Sequence, residues 1–519
     1  MNIAQPPGRG LLYPACVVAA LCIAVLIGLL GVDFGHHWDE CAVLRYEINR
    51  WLPIEYGYPS MTYNISHLAI ACHLVVKAVG FRMEDASSWR ERLHRYVSDT
   101  RNQDRMKLVA RSTCLITSQL AIIAVFLIVA GAWGRGEACL ACLLLSFSNE
   151  FLYHSRWVVP DTLHALWSAL TMAVILHALR RGSFRALYGA AALAGATVAT
   201  KYTGVFIVCP LLACGLMLSR DGIPRALRRC ALLLAVAGGA FLLLCPGVIL
   251  EQQKFWRTLM PVYYTYTQGH GGYNVAPGLP NLGLSLLYLS TQCFSSIMVV
   301  NVAFFALAVW GAANWLAHRR REALLMLVFL VFFVGFLSSH VIMIARNLMP
   351  VIPFLAIFAA RGISSCRALL PPAWRALFSC LVAAAITATL VIEAHDAVGI
   401  RRFARDYDYP VRSAREYLIE DRAHRYYVHP NIRARLLEQG GFPANVVDDP
   451  AGADFVLAFA PYLPNDIENS PFVIKEWFGT REINLRYYSI WQQKVWGMER
   501  DKPNPIILSP EDARRYGLL

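Results

Sequence analysis

Charge is scarce in this chain. Only 16% of its 519 residues are charged and 57% are hydrophobic, with a mean hydropathy of +0.43. A soluble globular protein carries about 25% charged residues, so that class is excluded. Cysteine is absent after Cys380, and the last part of the chain must fold without disulfides. The 14 cysteines lie mostly in apolar runs. The one Cys-x-x-Cys spacing, Cys139 and Cys142, falls inside an apolar stretch, where small packing residues are a simpler reading than a redox pair. There is no Cys/His zinc spacing, no GxGxxG or Walker-type loop, no internal repeat and no low-complexity tract. Those gaps remove zinc fingers, nucleotide-binding loops and solenoids.

What is present is a series of apolar runs near the roughly 20 residues that cross a bilayer as helix. The chain reads as a polytopic all-α membrane domain. Its net charge of +13 would suit nucleic acid, but the basic residues sit in short clusters between the runs, which is how membrane loops are oriented. Those clusters are Arg180, Arg181 and Arg185; Arg220, Arg225, Arg228 and Arg229; Arg319 to Arg321; and Arg361, Arg367 and Arg375. The positive-inside rule puts them in the cytoplasm with Arg9. Expected spans are 11–32, 108–131, 137–152, 162–179, 186–202, 203–219, 230–250, 293–316, 323–343, 348–360 and 376–394, about eleven in all. Residues 61–80 carry Asn64, Ser66, His67, His73 and Lys77 and read as a surface helix. The membrane domain then covers 1–395, with a long external loop at 33–107, and both chain breaks near 33–40 and 153–161 face outward.

From about Asp396 the composition changes to charged, tyrosine-rich and proline-broken. Val411–Asp421 and Ile432–Glu438 read as helices. Tyr426–Val428, Phe455–Phe459 and Phe472–Ile474 read as short buried strands. The alternation suggests a small external α/β domain over 396–519.

Carboxylates at membrane breaks are costly and usually functional. Asp39 and Glu40 follow the first span, and Asp161 sits in His154-Ser155-Arg156-Trp157-Val158-Val159-Pro160-Asp161. Adjacent residues on a helix point about 100° apart, so Asp39 and Glu40 suit different tasks. One can take a proton from a hydroxyl nucleophile, and the other can hold a cation or orient a partner; a helix cap near Cys41 is the plainer alternative. Asp161 can equally serve the first turn of the span that follows it. Arg156 can pair with a phosphate or with Asp161. Lys201 and Arg346 fall in external breaks by the same parity, the wrong side for orientation, and suit anion binding. The aromatic run from Tyr56 to Tyr63, with Tyr58 at its turn, suits a sugar pocket or an interfacial belt. The loop at 251–281 holds Glu251, Tyr263, Tyr264, Tyr266, His270, Gly271, Gly272 and Tyr273; it reads as a mobile flap over a ligand, with His270 a candidate metal ligand.

External carboxylates beside external isolated cations suit chemistry on a lipid whose phosphate lies at the interface. At this point the chain resembles the GT-C membrane glycosyltransferases, the class of the protein O-mannosyltransferases and the aminoarabinose–lipid A transferase. The likeness rests on Asp39-Glu40; on Ser155-Arg156 through Pro160-Asp161-Thr162; on Gly195 through Thr200-Lys201-Tyr202-Thr203-Gly204; and on Arg346-Asn347-Leu348-Met349-Pro350-Val351-Ile352-Pro353. It implies inverting transfer of a sugar from a polyprenyl-phosphate donor to a lipid, glycan or protein acceptor on the outer face. Asp39 would be the base, Glu40 a metal or acceptor-orienting group, and Asp161 a second acid near the acceptor. Lys201 and Arg346 would contact the donor phosphate. The resemblance admits a divalent cation (Mg, Mn or Zn) in some members. Composition, rich in alanine, arginine and leucine, points to a bacterial inner membrane, with the N-terminus cytoplasmic and the tail periplasmic. The competing readings are a lipid or polysaccharide transporter or flippase, which predicts a path to both faces, and a non-catalytic membrane scaffold.

Overall fold

The computed structural model describes residues 12–32, 52, 56–79, 91, 96, 100–219, 222–269, 274–407, 409–438, 442–459, 475–476, 505–515 and 519. The chain forms two compact units, one ending at Ala397 and one beginning at Val398.

The first unit is helical. Its elements are α1 (Leu12–Leu30), α2 (Ser60–Val79), α3 (Thr100–Gln119), α4 (Ala121–Ala130), α5 (Arg135–Ser146), α6 (Asn149–Ser155), α7 (Pro160–Arg181), α8 (Phe184–Thr200), α9 (Val208–Leu218) and α10 (Ile223–Leu244). They continue with α11 (Gln252–Gln268), α12 (Leu279–Gln292), α13 (Met298–His318), α14 (Arg320–Ser338), α15 (Ile352–Leu369) and α16 (Pro372–Tyr407). Among the described residues, eight helices are long and apolar enough to cross a membrane. The protein is therefore a multi-pass membrane protein. The helix at 60–79 is not one of the eight.

Local chemistry explains the boundaries. α7 opens on Pro160, where a missing N–H costs nothing, and ends at Gly182 with φ 62°, a left-handed cap that glycine adopts without strain. Ser183 then caps α8 by accepting from the Ala186 amide at 3.3 Å. Where α13 crosses α15, a Cβ on Gly311 would collide with the Phe358 carbonyl oxygen, and one on Gly362 with the Leu307 carbonyl. Lipid gives no hydrophobic drive to helix association, so such close backbone approach is how spans hold together.

Three expectations need correction. The run 137–152 is not one helix: α5 stops at Ser146 because Ser148 turns its hydroxyl to the Cys293 carbonyl at 2.7 Å. The span expected from 293 begins at Met298, since the Asn301 side chain holds the Phe294 and Ser295 amides in a turn ahead of it. The loop at 251–281 is largely helix: α11 fills 252–268 and α12 begins at Leu279. Glycines and aromatics there suggested a flap, yet Phe255 is buried against Tyr56 and anchors α11.

The second unit is built on a five-stranded sheet. Its strands are β1 (Tyr426–Val428), β2 (Val446–Val447), β3 (Phe455–Phe459), β4 (Lys475–Glu476) and β5 (Pro505–Leu508), in the order β2-β1-β3-β5-β4. β1 pairs parallel with β2 and β3, while β5 pairs antiparallel with β3 and β4. Helices α17 (Tyr409–Glu420) and α18 (Pro430–Glu438) pack Ala414, Leu418, Ile432 and Leu436 on Tyr426, Val428, Leu457 and Ile507. The residues expected as a strand at 472–474 lie outside the described ones, and β2 and β5 had no clear pattern in the sequence.

Candidate active site

The site lies where three helices break. The chain between α6 and α7 turns at 156–159 and delivers Asp161 to the first turn of α7. α8 ends at Lys201, whose backbone is extended (φ −151°, ψ 135°) before a 3-10 helix at Tyr202–Ile207. A second 3-10 helix, Ala345–Val351, carries Arg346 and Asn347. Irregular backbone at such depth is tolerated where protein surrounds it or it lines a cavity.

The three breaks converge. Lys201 Nζ donates to the Asp161 carboxylate and, at 2.6 Å, to Asn347 Oδ1. Arg346 Nε lies 3.7 Å from the other carboxylate oxygen. Asn347 Nδ2 donates to the Tyr266 hydroxyl at 2.8 Å, bringing in the end of α11. Arg346 also reaches the Tyr58 hydroxyl at 3.5 Å. Asp161 is fully buried and Lys201 is only 8% exposed. A carboxylate buried there is tolerable because two cations face it. Asp161 is not the helix cap: that position belongs to Val159, and the acid spends its oxygens on Lys201 and Arg346. A protonated lysine has three N–H groups. Two are engaged here, which leaves one for an incoming anion.

Tyr58 belongs to the same neighbourhood as Tyr56, whose hydroxyl donates to Glu251 at 2.7 Å and whose carbonyl accepts from Tyr202 at 2.9 Å. Arg156 is buried but is not an ion partner of Asp161; its guanidinium lies against Gly31, where a Cβ would sit 3.0 Å from Nε. Asp39, Glu40, His270 and Tyr273 lie outside the described residues. Among the described residues, no group of three or more His, Cys, Asp or Glu side chains is arranged to hold a metal ion. Asn347 was not singled out from the sequence as a site residue, and Tyr266 was named only as one residue of the loop at 251–281. Asn347 stood inside a quoted motif, but nothing in a lone asparagine signals that it bridges a lysine to a tyrosine.

The basic clusters gather elsewhere. Arg180 pairs with Glu322 at 3.1 Å, and Arg361 pairs with Glu137 at 2.9 Å while lying over Trp133. Arg180 is at the far end of α7 from Asp161, about 29 Å away by helical rise. The acid–cation site and the arginine clusters therefore mark opposite ends of the bundle.

The helical membrane bundle is similar in fold to solved structures of ArnT and of an archaeal oligosaccharyltransferase. More particularly, residues 103–249 match the family model for dolichyl-phosphate-mannose-protein mannosyltransferase. The solved structure of ArnT from Cupriavidus metallidurans bound to undecaprenyl phosphate is similar to this chain at 12% identity, with a TM-score of 0.53 and coverage of 97% of this chain and 98% of that one. The apo oligosaccharyltransferase of Archaeoglobus fulgidus is similar at 13% identity and a TM-score of 0.51, covering 95% of this chain and 69% of that one. At such identities the likeness is one of fold. No curated protein sequence matches the chain.

Proposed function

We propose that the protein transfers a sugar from a polyprenyl-phosphate donor to a lipid, glycan or protein acceptor at the outer face of a bacterial inner membrane. The observation that carries this reading is the convergence of Asp161, Lys201, Arg346 and Tyr58, from four distant segments, on one buried cluster. In this mechanism the acceptor oxygen attacks the anomeric carbon opposite the phosphate. The new C–O bond forms as the C–O bond to phosphate breaks, inverting the centre, and the electron pair leaves on the phosphate oxygen. Lys201 and Arg346 stabilise that developing charge. Asp39 takes the acceptor's proton, Asp161 holds the two cations in place from behind, and Tyr58 lines the approach. His270 and Tyr273 contact the sugar. Glu40 and His270 are the candidates for a divalent cation. Chelator treatment followed by Mg2+, Mn2+ or Zn2+ reports on them, with loss and recovery of transfer supporting that role.

The test is transfer by the purified full chain, using polyprenyl-phosphate sugars and membrane acceptors. Wild-type protein should transfer, Asp39→Asn should lose activity, and a doubly substituted Asp161→Ala, Lys201→Ala protein should be inactive. Full transfer by that double variant would overturn the site. Identifying the acceptor requires comparing the lipids, glycans and glycoproteins of a deletion strain with its parent.

A further inference from the structure

Along α7 from Asp161, one face of the helix stays polar where protein contacts do not satisfy it. Asp161, His164 and Ser168 lie within about 60° of one another around the helix, and all three are fully buried. Among the described residues, Asp161 Oδ2, both ring nitrogens of His164 and Ser168 Oγ have no hydrogen-bond partner. Arg346 Nε faces Asp161 Oδ2 at 3.7 Å, an ion pair beyond hydrogen-bond distance. His164 packs edge-on against Phe333 of α14, with centroids 5.7 Å apart; this fills space but gives neither nitrogen a conventional hydrogen bond. The ring is within electrostatic range of both Lys201 and Asp161. Packing alone does not account for an imidazole there, because a leucine would fill the slot beside Phe333 without burying polar atoms. The three groups are chemically complementary. A carboxylate oxygen accepts, an imidazole carries at least one N–H in either protonation state, and a hydroxyl does both. Side chains three and four residues apart on a helix are neighbours, which puts these polar ends within reach of one shared water. Buried waters typically serve about three such groups.

We propose that His164 is a positioning residue for the reaction: with Ser168 it holds a buried water against Asp161 Oδ2, and this fixes the carboxylate that aims Lys201 and Arg346. The proposal rests on the reading of Lys201 and Arg346 as donor-phosphate ligands. One oxygen of Asp161 is tied by the Lys201 ammonium. The other is held only by the charge of Arg346, and charge attracts without fixing an angle. A directed hydrogen bond at Oδ2 stops the carboxylate turning about its Cβ–Cγ bond. Without it both cations drift from the place where charge develops on the departing phosphate, and catalysis depends on donors held there in advance. The role needs no change of protonation, since the ring presents an N–H either way.

The experiment measures kcat/KM for a polyprenyl-phosphate sugar donor with the full chain in detergent, on variants whose melting temperatures show them folded. His164→Leu fits beside Phe333 but has no N–H, and its kcat/KM should fall about tenfold. His164→Gln keeps a donor and an acceptor and should stay within about threefold of wild type. A role in packing alone predicts the reverse order, with the leucine variant active and the glutamine variant impaired. Ser168→Ala should lose about threefold and decides the matter if His164→Leu does not fold, a wild-type rate then overturning the proposal. Wild-type kcat/KM in folded His164→Leu, or equal losses in the leucine and glutamine variants, would overturn it as well. If the wild-type protein transfers no sugar from any polyprenyl-phosphate donor, the functional reading itself fails, a result seen before any variant is compared.

Discussion

At the scale of single residues, the chemistry rests on how Lys201 is held. It is anchored on one side by Asp161 and on another by Asn347, which Tyr266 supports in turn. Lys201→Ala should remove a donor aimed at the departing phosphate and leave Asp161 buried against Arg346 alone. The expected loss in the transfer rate is at least about 100-fold, measured as initial rates on folded protein. Asn347→Ala keeps the charges but frees the ammonium to swing; about a tenfold loss is expected, with donor KM and kcat both affected. Tyr58→Phe, which removes one long contact to Arg346, should cost much less. The cations were legible in the sequence because an isolated lysine or arginine in an apolar chain is expensive. Their bridging asparagine was not, since a polar side chain is common wherever a helix breaks.

At the scale of elements, two contacts carry predictions. The crossing of α13 and α15 depends on Gly311 and Gly362, whose missing side chains let the backbones touch. Gly311→Ala or Gly362→Ala should lower the melting temperature in detergent, and a change to Val should prevent recovery of folded protein. A small shift with Val would show that the helices can separate without penalty. In the second unit, Tyr426 donates to Asp421 at 2.5 Å and His424 Nδ1 lies 2.9 Å from the same carboxylate. Led by the tyrosine bond, these contacts hold the Asp421 carboxyl down to about 2. Because the folded value is depressed, the stabilisation is present above the ordinary carboxylate range and disappears as pH falls from about 4 towards about 2. Hydrogen exchange of the β1 amides should accelerate over that window, and Asp421→Asn should remove the step. Burial and Asp421 push the Tyr426 hydroxyl upward in turn, so this contribution should be lost only as pH rises above about 10. The helices and the two central strands of this unit were readable as periodic runs. β2 spans two residues, too few for any alternation to show.

At the scale of the whole molecule, the arrangement of charge defines the ends of the bundle. The Asp161 cluster and the Arg180–Glu322 and Arg361–Glu137 pairs lie at opposite ends of long helices. The orientation proposed for the chain makes the first end external. On a cysteine-free background, Glu40→Cys and Gln268→Cys should react with an impermeant thiol reagent from the same side, and Arg320→Cys from the other. Labelling of Glu40→Cys and Gln268→Cys from opposite faces would refute the shared external site.

The sequence by itself determined that the chain is a multi-pass helical membrane protein, because long apolar runs have no other stable home and their flanking arginines mark one side. It also named the isolated acid and cations, since such groups in apolar surroundings need a reason to be there. Tertiary structure alone decided that Asp161 lies between Lys201 and Arg346, that α11 is a helix where a flap was expected, and that the Tyr288 hydroxyl donates to Glu150. Those contacts join residues up to 185 positions apart, and their partners are selected by how the helices cross, which no local pattern records.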